Sequence, residues 1–439
     1  MEQFNAFLVL LDSNLSGSWW FPALLIGTGI FFTIYLGFPQ FKYFNSALKI
    51  VSGKTKNSES DGETTGFQAL TTAMSGAVGT GNIGGVALAI WTGGPAAIFW
   101  MWITAIFGMT TKYVEVTLGH KYRTTLNDGS ISGGPMYYIE QGLNMKWVAI
   151  LFAFLMMITA IGSGNMPQIN NIALVMSTEF SVPKILTGLF LGALLWVIII
   201  GGIKRIASVA SKIIPFMGLI YFGGALVILV ENYQNIIPSF NAIFAQVFTG
   251  SAAVGGFLGA SFAMSLKYGV ARGLYSNEAG QGSAAIAHST AKTKYSVREG
   301  AVAMLGPYID TLIICTMTGL VIISTGAWKH TEYFVKITAT SLNEANEAFE
   351  LGIFQGRELY NSSLLTSFAF KEGLSFLFSY GDKIVTVSVL LFALSTAIAW
   401  SFYGNRAAVY LFGEKAILPY LWVYVFFTCL LYTSDAADE

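Results

Sequence analysis

Charge is what this chain has least of. Only 11% of its 439 residues are charged, 24 Lys and Arg against 24 Asp and Glu, where a soluble domain carries roughly a quarter. With 54% hydrophobic residues and a mean hydropathy of +0.60, that excludes an ordinary soluble fold and implies a polytopic membrane protein. A net charge of zero with no basic patch leaves nothing to bind phosphates, which excludes nucleic acid as a partner. Cysteine is nearly missing. Cys315 and Cys429 both fall in apolar runs and read as small packing residues, not as a disulfide. The three histidines, His120, His288 and His330, form no HExxH or His/Cys cluster, and no nucleophile–base pairing appears. Metalloenzyme and hydrolase readings are therefore unsupported, and neither an enzyme nor an organic cofactor is expected. The opening MEQFNAFLVLLDSN has no positive n-region or small-residue cleavage site, so no cleaved signal peptide is expected.

What the chain has is long apolar runs. Ten are readable, near 18–37, 66–90, 95–118, 147–177, 183–202, 209–231, 252–290, 300–325, 383–403 and 416–432. About 20 helical residues cross the hydrocarbon core. The fourth and seventh runs are over-long and interrupted, by GSGN at 162–165 and GLYSNEAGQG at 273–282. Lys and Arg collect after the odd-numbered spans (Lys42, Lys49 and Lys54; Lys121 and Arg123; Lys204 and Arg205; Lys292 and Lys294; Arg406 and Lys415), while the alternate short loops are nearly bare. The positive-inside rule then puts the N-terminus outside and the basic loops in the cytoplasm. The segment 327–382 reads as external, an ordinary surface loop or a lid. The acidic end TSDAADE, 433–439, is expected to be a non-native tail.

The organising stretch is SGAVGTGNIGG, Ser75 to Gly85. Lipid offers no hydrogen-bond partners, so a spanning helix must satisfy its own backbone. Five glycines nonetheless crowd mid-span, with Thr80 and Asn82 among them. Close helix packing through small residues explains the glycines but not the polar side chains. A helix broken inside the bilayer, its freed backbone lining a small-solute site, explains both. The GxGxxG spacing also fits a dinucleotide fingerprint, but FWMWIT near 100 supplies no acid, and that reading fails. Among other intramembrane polar groups, Gln168 is a candidate for substrate, with Asn170 and Asn171 close by. Asp310 either binds a cation or pairs with Lys267 or Arg272; Glu278 has the same two readings, with pairing preferred. Ser395 and Thr396 offer hydroxyls to a small hard cation, although alone they read better as hydroxyls bonded to their own helix. Trp400 either walls a pocket or anchors an interface.

Residues 93–108, GGPAAIFWMWITAIFG, with GTGNIGGVALAI before and TTKYVEVTLGHKYR after, resemble the alanine/glycine:cation symporter family, also called sodium:alanine symporters. GVARGLYSNEAGQGSAAIAH (269–288) and IDTLIICTMTGLVI (309–322) are similar to that family's later segments, and the likeness spans about residues 15 to 430. It implies a sodium-coupled transporter of alanine or glycine in the bacterial inner membrane, a monomer whose partners are the amino acid, sodium and lipid. Proton coupling is the alternative; an ion channel is weaker still, since no filter repeat is present. The likeness also implies an all-α, leucine-transporter-like fold of two five-helix inverted repeats in one domain. The first helix (15–40) would be peripheral, 66–231 the first repeat, and 240–432 a second repeat lacking its last helix. By the same likeness Thr80, Gly81 and Asn82 would hold the substrate carboxylate and carbonyls of Ser276 and Asn277 its ammonium. Gln168 and Trp400 would close the pocket. Ser75 and Val78 carbonyls would join Ser395 and Thr396 around sodium, with Asp310 a possible further cation site.

Overall fold

The computed structural model describes residues 20–54, 61–249, 262–329, 363–377 and 379–430. The tail 433–439, most of the segment 327–382, the start of the seventh span and His330 lie outside them. In chain order, α1 (Trp20–Tyr35) and α2 (Phe44–Val51) precede a bent pair, α3 (Gly66–Ala77) and α4 (Gly84–Gly93). Next come α5 (Ala97–Lys121), a hairpin of β1 (Thr124–Thr125) and β2 (Ile131–Ser132), and α6 (Pro135–Leu143). There follow α7 (Lys146–Gly162), α8 (Met166–Phe180), α9 (Lys184–Ile199), α10 (Gly202–Glu231) and α11 (Tyr233–Thr249). The remainder is α12 (Phe262–Asn277), α13 (Ser283–His288), α14 (Ser296–Ser324), α15 (Ser363–Leu374), α16 (Asp382–Phe412) and α17 (Ile417–Leu430). The hairpin is antiparallel, with Thr124 opposite Ser132.

The all-α expectation holds. The α7–α8 run, α10, α14 and α16 are each long and apolar enough to cross a membrane, and the bent α3–α4 pair makes a fifth such span. α16 is buried on every side from Ser395 to Val409 and packs against α3, α7, α8, α10 and α15. A helix buried all round in this way belongs at the centre. One hydrophobic core gathers around α4, α5, α10, α14 and α15, the other around α7, α8, α9, α16 and α17. Outward, α7 exposes Leu151, Phe154, Leu155 and Ile158, and α9 exposes Leu186, Leu189 and Phe190. A continuous apolar surface of this size needs lipid, not water.

Three expectations change. The segment after 327 is no plain surface loop: α15 packs on α4, α10, α14 and α16, with Leu365, Ala369 and Phe370 buried. Its Thr366 hydroxyl donates to the Ile83 carbonyl at the bend, 3.1 Å away, which also accepts the Ala87 N–H. The stretch between the sixth and seventh spans forms α11, whose polar residues had masked it. Arg406 lies within α16, 6% exposed, and donates to Ser130, so it is no loop charge.

Candidate functional site

The local sequence dictates three breaks, and they meet. Thr65 and Gln68 cap α3 reciprocally, which fixes its start. The helix ends at Val78, a 3₁₀ turn spans Thr80–Asn82, and α4 leaves at 66° to α3. Asn82 Oδ1 accepts the Gly79 N–H at 3.0 Å, replacing a helical bond that the bend removes. The second break, Ser163–Asn165, separates α7 from α8. A Cβ on Gly164 would stand 2.3 Å from the Trp400 ring, so only glycine lets this break close on α16. The third falls between α12 and α13, after Ser276 and Asn277 rather than at them. There Glu278 (φ 52°), Gly280 (φ 89°) and Gly282 (φ 81°) take the left-handed conformation, a conformation glycine adopts freely and glutamate rarely.

Between the breaks lies a small cavity lined by residues of all three. Gly79, Thr80 and Gly81 form one wall, Gln168 and Ser163 another, Thr396 and Trp400 a third, and Tyr275, Glu278 and Gln281 the fourth. The Thr80 hydroxyl donates to Gln168 Oε1 at 3.3 Å, and the Trp400 indole to the Gly76 carbonyl at 3.3 Å. Of the residues anticipated for substrate, the structure thus brings Thr80, Gly81, Gln168 and Trp400 together.

Asn82, Ser276 and Asn277 do not line this cavity. Asn82 Nδ2 donates to Asp310 Oδ1 at 2.5 Å, and Ser276 and Thr311 donate to Asp310 Oδ2 at 2.5 and 2.8 Å. Neither Lys267 nor Arg272 pairs with Asp310; its partners are uncharged. The widened helical turns over Tyr308–Cys315 present it, starting just after Pro307, which has no N–H to continue the ladder. Asn277 faces a second cavity with Lys112, His288 and Leu70. Glu278 likewise forms no ion pair with Lys267 or Arg272: its Oε2 accepts the Ser283 hydroxyl at 2.6 Å.

Ser75, Ser395 and Thr396 converge where α3 meets α16. Ser75 Oγ donates to the Ser395 carbonyl at 2.7 Å. The Ser395 and Thr396 hydroxyls both donate to the Phe392 carbonyl, at 2.9 and 3.0 Å, as the bland reading expects. With their protons so engaged, the oxygens keep lone pairs for another guest. Thr396 Oγ1 would lie 2.8 Å from a Cβ on Gly79, so it sits against the broken segment next to fully buried Val78.

A model of the sodium:alanine symporter family matches residues 1–437. The chain belongs to that family. It is 40% identical over 419 residues to the sodium/alanine symporter AgcS of Methanococcus maripaludis, covering 94% of this chain and 85% of that one. A transporter of Haemophilus influenzae is 40% identical over 96% of this chain and 86% of its own length. The probable sodium/glutamine symporter GlnT of Bacillus subtilis is 33% identical over 95% and 80%. The sodium:alanine symporter family is one of transporters. Sequence reasoning missed Ser163, Tyr275 and Gln281 on the cavity wall, and the buried pair Lys112–Glu115 at 4.0 Å. For that pair a signal was present, two opposite charges one helical turn apart in the apolar TTKYVEV.

Proposed function

We propose that this protein carries alanine and glycine into the cell together with sodium, across the bacterial inner membrane and with its N-terminus outside. The observation that carries the reading is the cavity enclosed by the α3–α4 bend, the Ser163–Asn165 break and Trp400, beside the hydroxyls of Ser395 and Thr396. Its small volume favours a small side chain. Backbone N–H groups near Thr80 and Gly81 receive the carboxylate, as helix N-termini receive anions, with Gln168 and Trp400 closing over the substrate. Sodium takes carbonyls of Ser75 and Val78 with Ser395 and Thr396. Asp310, held by Asn82 and Ser276, is a second cation site, and through those two residues it joins the first break to the third. The helices are arranged as leucine-transporter-like inverted repeats, and one bundle rocks against the other. The same buried carboxylate favours one second reading, proton coupling through Asp310.

Uptake of labelled alanine into proteoliposomes tests this. Accumulation driven by an inward sodium gradient is expected, and unlabelled glycine should compete. Sodium-independent uptake driven by a pH gradient would transfer the coupling to protons. Absence of uptake with both amino acids would end the substrate reading.

A further inference from the structure

The buried charges around the breaks do not cancel. Lys112 (3% exposed) lies 4.0 Å from Glu115 and acts electrostatically on Glu278 as well, so one ammonium serves two carboxylates. Among the described residues, Asp310 has hydroxyl and amide partners but no cation. Arg272 has its guanidinium 5.9 Å from the Tyr275 ring and is not among the charges acting on Glu278. Two of the three carboxylates therefore share one lysine, and the third is met by uncharged donors. Buried carboxylates without a matching cation are strongly disfavoured, so this arrangement is suited to cationic guests.

Among the described residues, Glu278 is the one charged side chain on the wall of the cavity, and it is 5% exposed. Its left-handed backbone carries it there from the α12–α13 break. The Ser283 hydroxyl holds Oε2, and the Trp400 indole N–H lies beside the same carboxylate. Both are uncharged donors. Gly79, Thr80 and Gly81 form another wall; the Gly79 N–H is taken by Asn82 Oδ1, and the Thr80 and Gly81 N–H groups make no backbone hydrogen bond outside the turn among the described residues. The cavity thus has a carboxylate on the Glu278 wall and N–H donors on the Thr80–Gly81 wall. That polarity matches a zwitterion and no simple ion.

We propose that the Glu278 carboxylate is the counter-charge of the substrate's ammonium group, so that the protein selects α-amino acids against their amine-free analogues. This rests on the amino-acid reading above and adds to it the group that recognises the amine.

The test is binding to the purified full chain, comparing alanine with lactate and propionate, which keep the carboxylate and lose the ammonium. Wild type should bind alanine and discriminate against both analogues. Glu278→Gln should lose about 30-fold or more in alanine affinity, the scale of removing one partner of a buried charge pair. Its affinity for lactate should hold or rise, which erases the discrimination. Sodium-induced thermal stabilisation without amino acid should persist in the variant, showing it folded and its ion site intact. Glu278→Asp should recover part of the alanine affinity. If Glu278→Gln does not fold, Ser283→Ala reports instead, through a several-fold loss for alanine and none for lactate. Wild-type alanine affinity in Glu278→Gln, or equal losses for alanine and lactate, would overturn the proposal alone. Wild type that binds neither alanine nor glycine would overturn the amino-acid reading beneath it.

Discussion

At the residue scale, the informative groups are buried polar atoms whose protons are already committed. Thr396 gives its proton to the Phe392 carbonyl at 3.0 Å while lining the cavity, so its oxygen faces guests as an acceptor. Replacing it by alanine removes one cation ligand and leaves no donor orphaned. We expect Thr396→Ala to raise the sodium concentration for half-maximal uptake about tenfold, roughly 1.4 kcal/mol, with Thr396→Ser restoring it. Alanine affinity at saturating sodium should move much less; sodium titrations of uptake at fixed alanine decide this. Thr80, Gly81 and Gln168 were legible because a polar side chain or a glycine in mid-span has an energetic cost that begs a reason. Tyr275 and Ser163 were not, because an aromatic or a serine beside a break is unremarkable until the third dimension brings it to the cavity. Asp310 was visible as an oddity, but its partners were not. An acid in lipid was expected either to bind a cation or to pair with Lys267 or Arg272; neither residue pairs with it, and Asn82, Ser276 and Thr311 donate to it instead.

At the element scale, the first half of the broken span is tied down at its far end. Residues before α3 form a parallel bridge, Thr64 beside Ala291, in which Thr64 N donates to Thr290 O and Lys292 N to Thr64 O. Arg123 fastens both strands, donating to the carbonyls of Asp61, Ser289 and Ala291. If α3 swings to release substrate, this strap must part. The Thr64 and Thr290 hydroxyl oxygens are 2.9 Å apart and both residues are buried, so cysteines at the two positions fall within disulfide reach. Oxidised Thr64→Cys/Thr290→Cys protein should lose at least nine-tenths of its uptake and regain it with a reductant, with each single variant active under both conditions. Full uptake by the cross-linked protein would show that α3 does not move there. The breaks themselves were readable from glycine and polar runs, although the third sits a few residues later than expected. Left-handed Glu278 cannot be inferred from composition, since glutamate disfavours that conformation and only tertiary packing imposes it. α15 was open to two readings, surface loop or lid, because its helix is too short to read as a span.

At the scale of the whole molecule, the class was plain from charge poverty and apolar runs, whereas the pairing of spans was not, because hydropathy says nothing about which helices touch. Arg406 shows the limit: counted as a loop charge, it is buried on α16 beside the ring of Phe402. The assembly nonetheless implies a quantitative rule. The cavity and the Asp310 cluster are joined through the 3₁₀ turn, since Thr80 and Gly81 line the one and Asn82 donates to the other. Whatever orders that turn from one side favours binding on the other. Linkage then requires sodium to raise alanine affinity by the same factor as alanine raises sodium affinity, and we expect a factor of about 5 to 150, the usual range of coupling. Asp310→Asn keeps the shape and removes the charge, so it should bring both factors towards one together while alanine still binds in its own cavity. Titrating each ligand at zero and saturating levels of the other measures the two factors separately. A variant that keeps the full coupling would place the cation elsewhere, at Ser395 and Thr396 alone. If alanine binding itself disappears, the Asp310 cluster is what holds the turn in shape, and the cation is not its main guest.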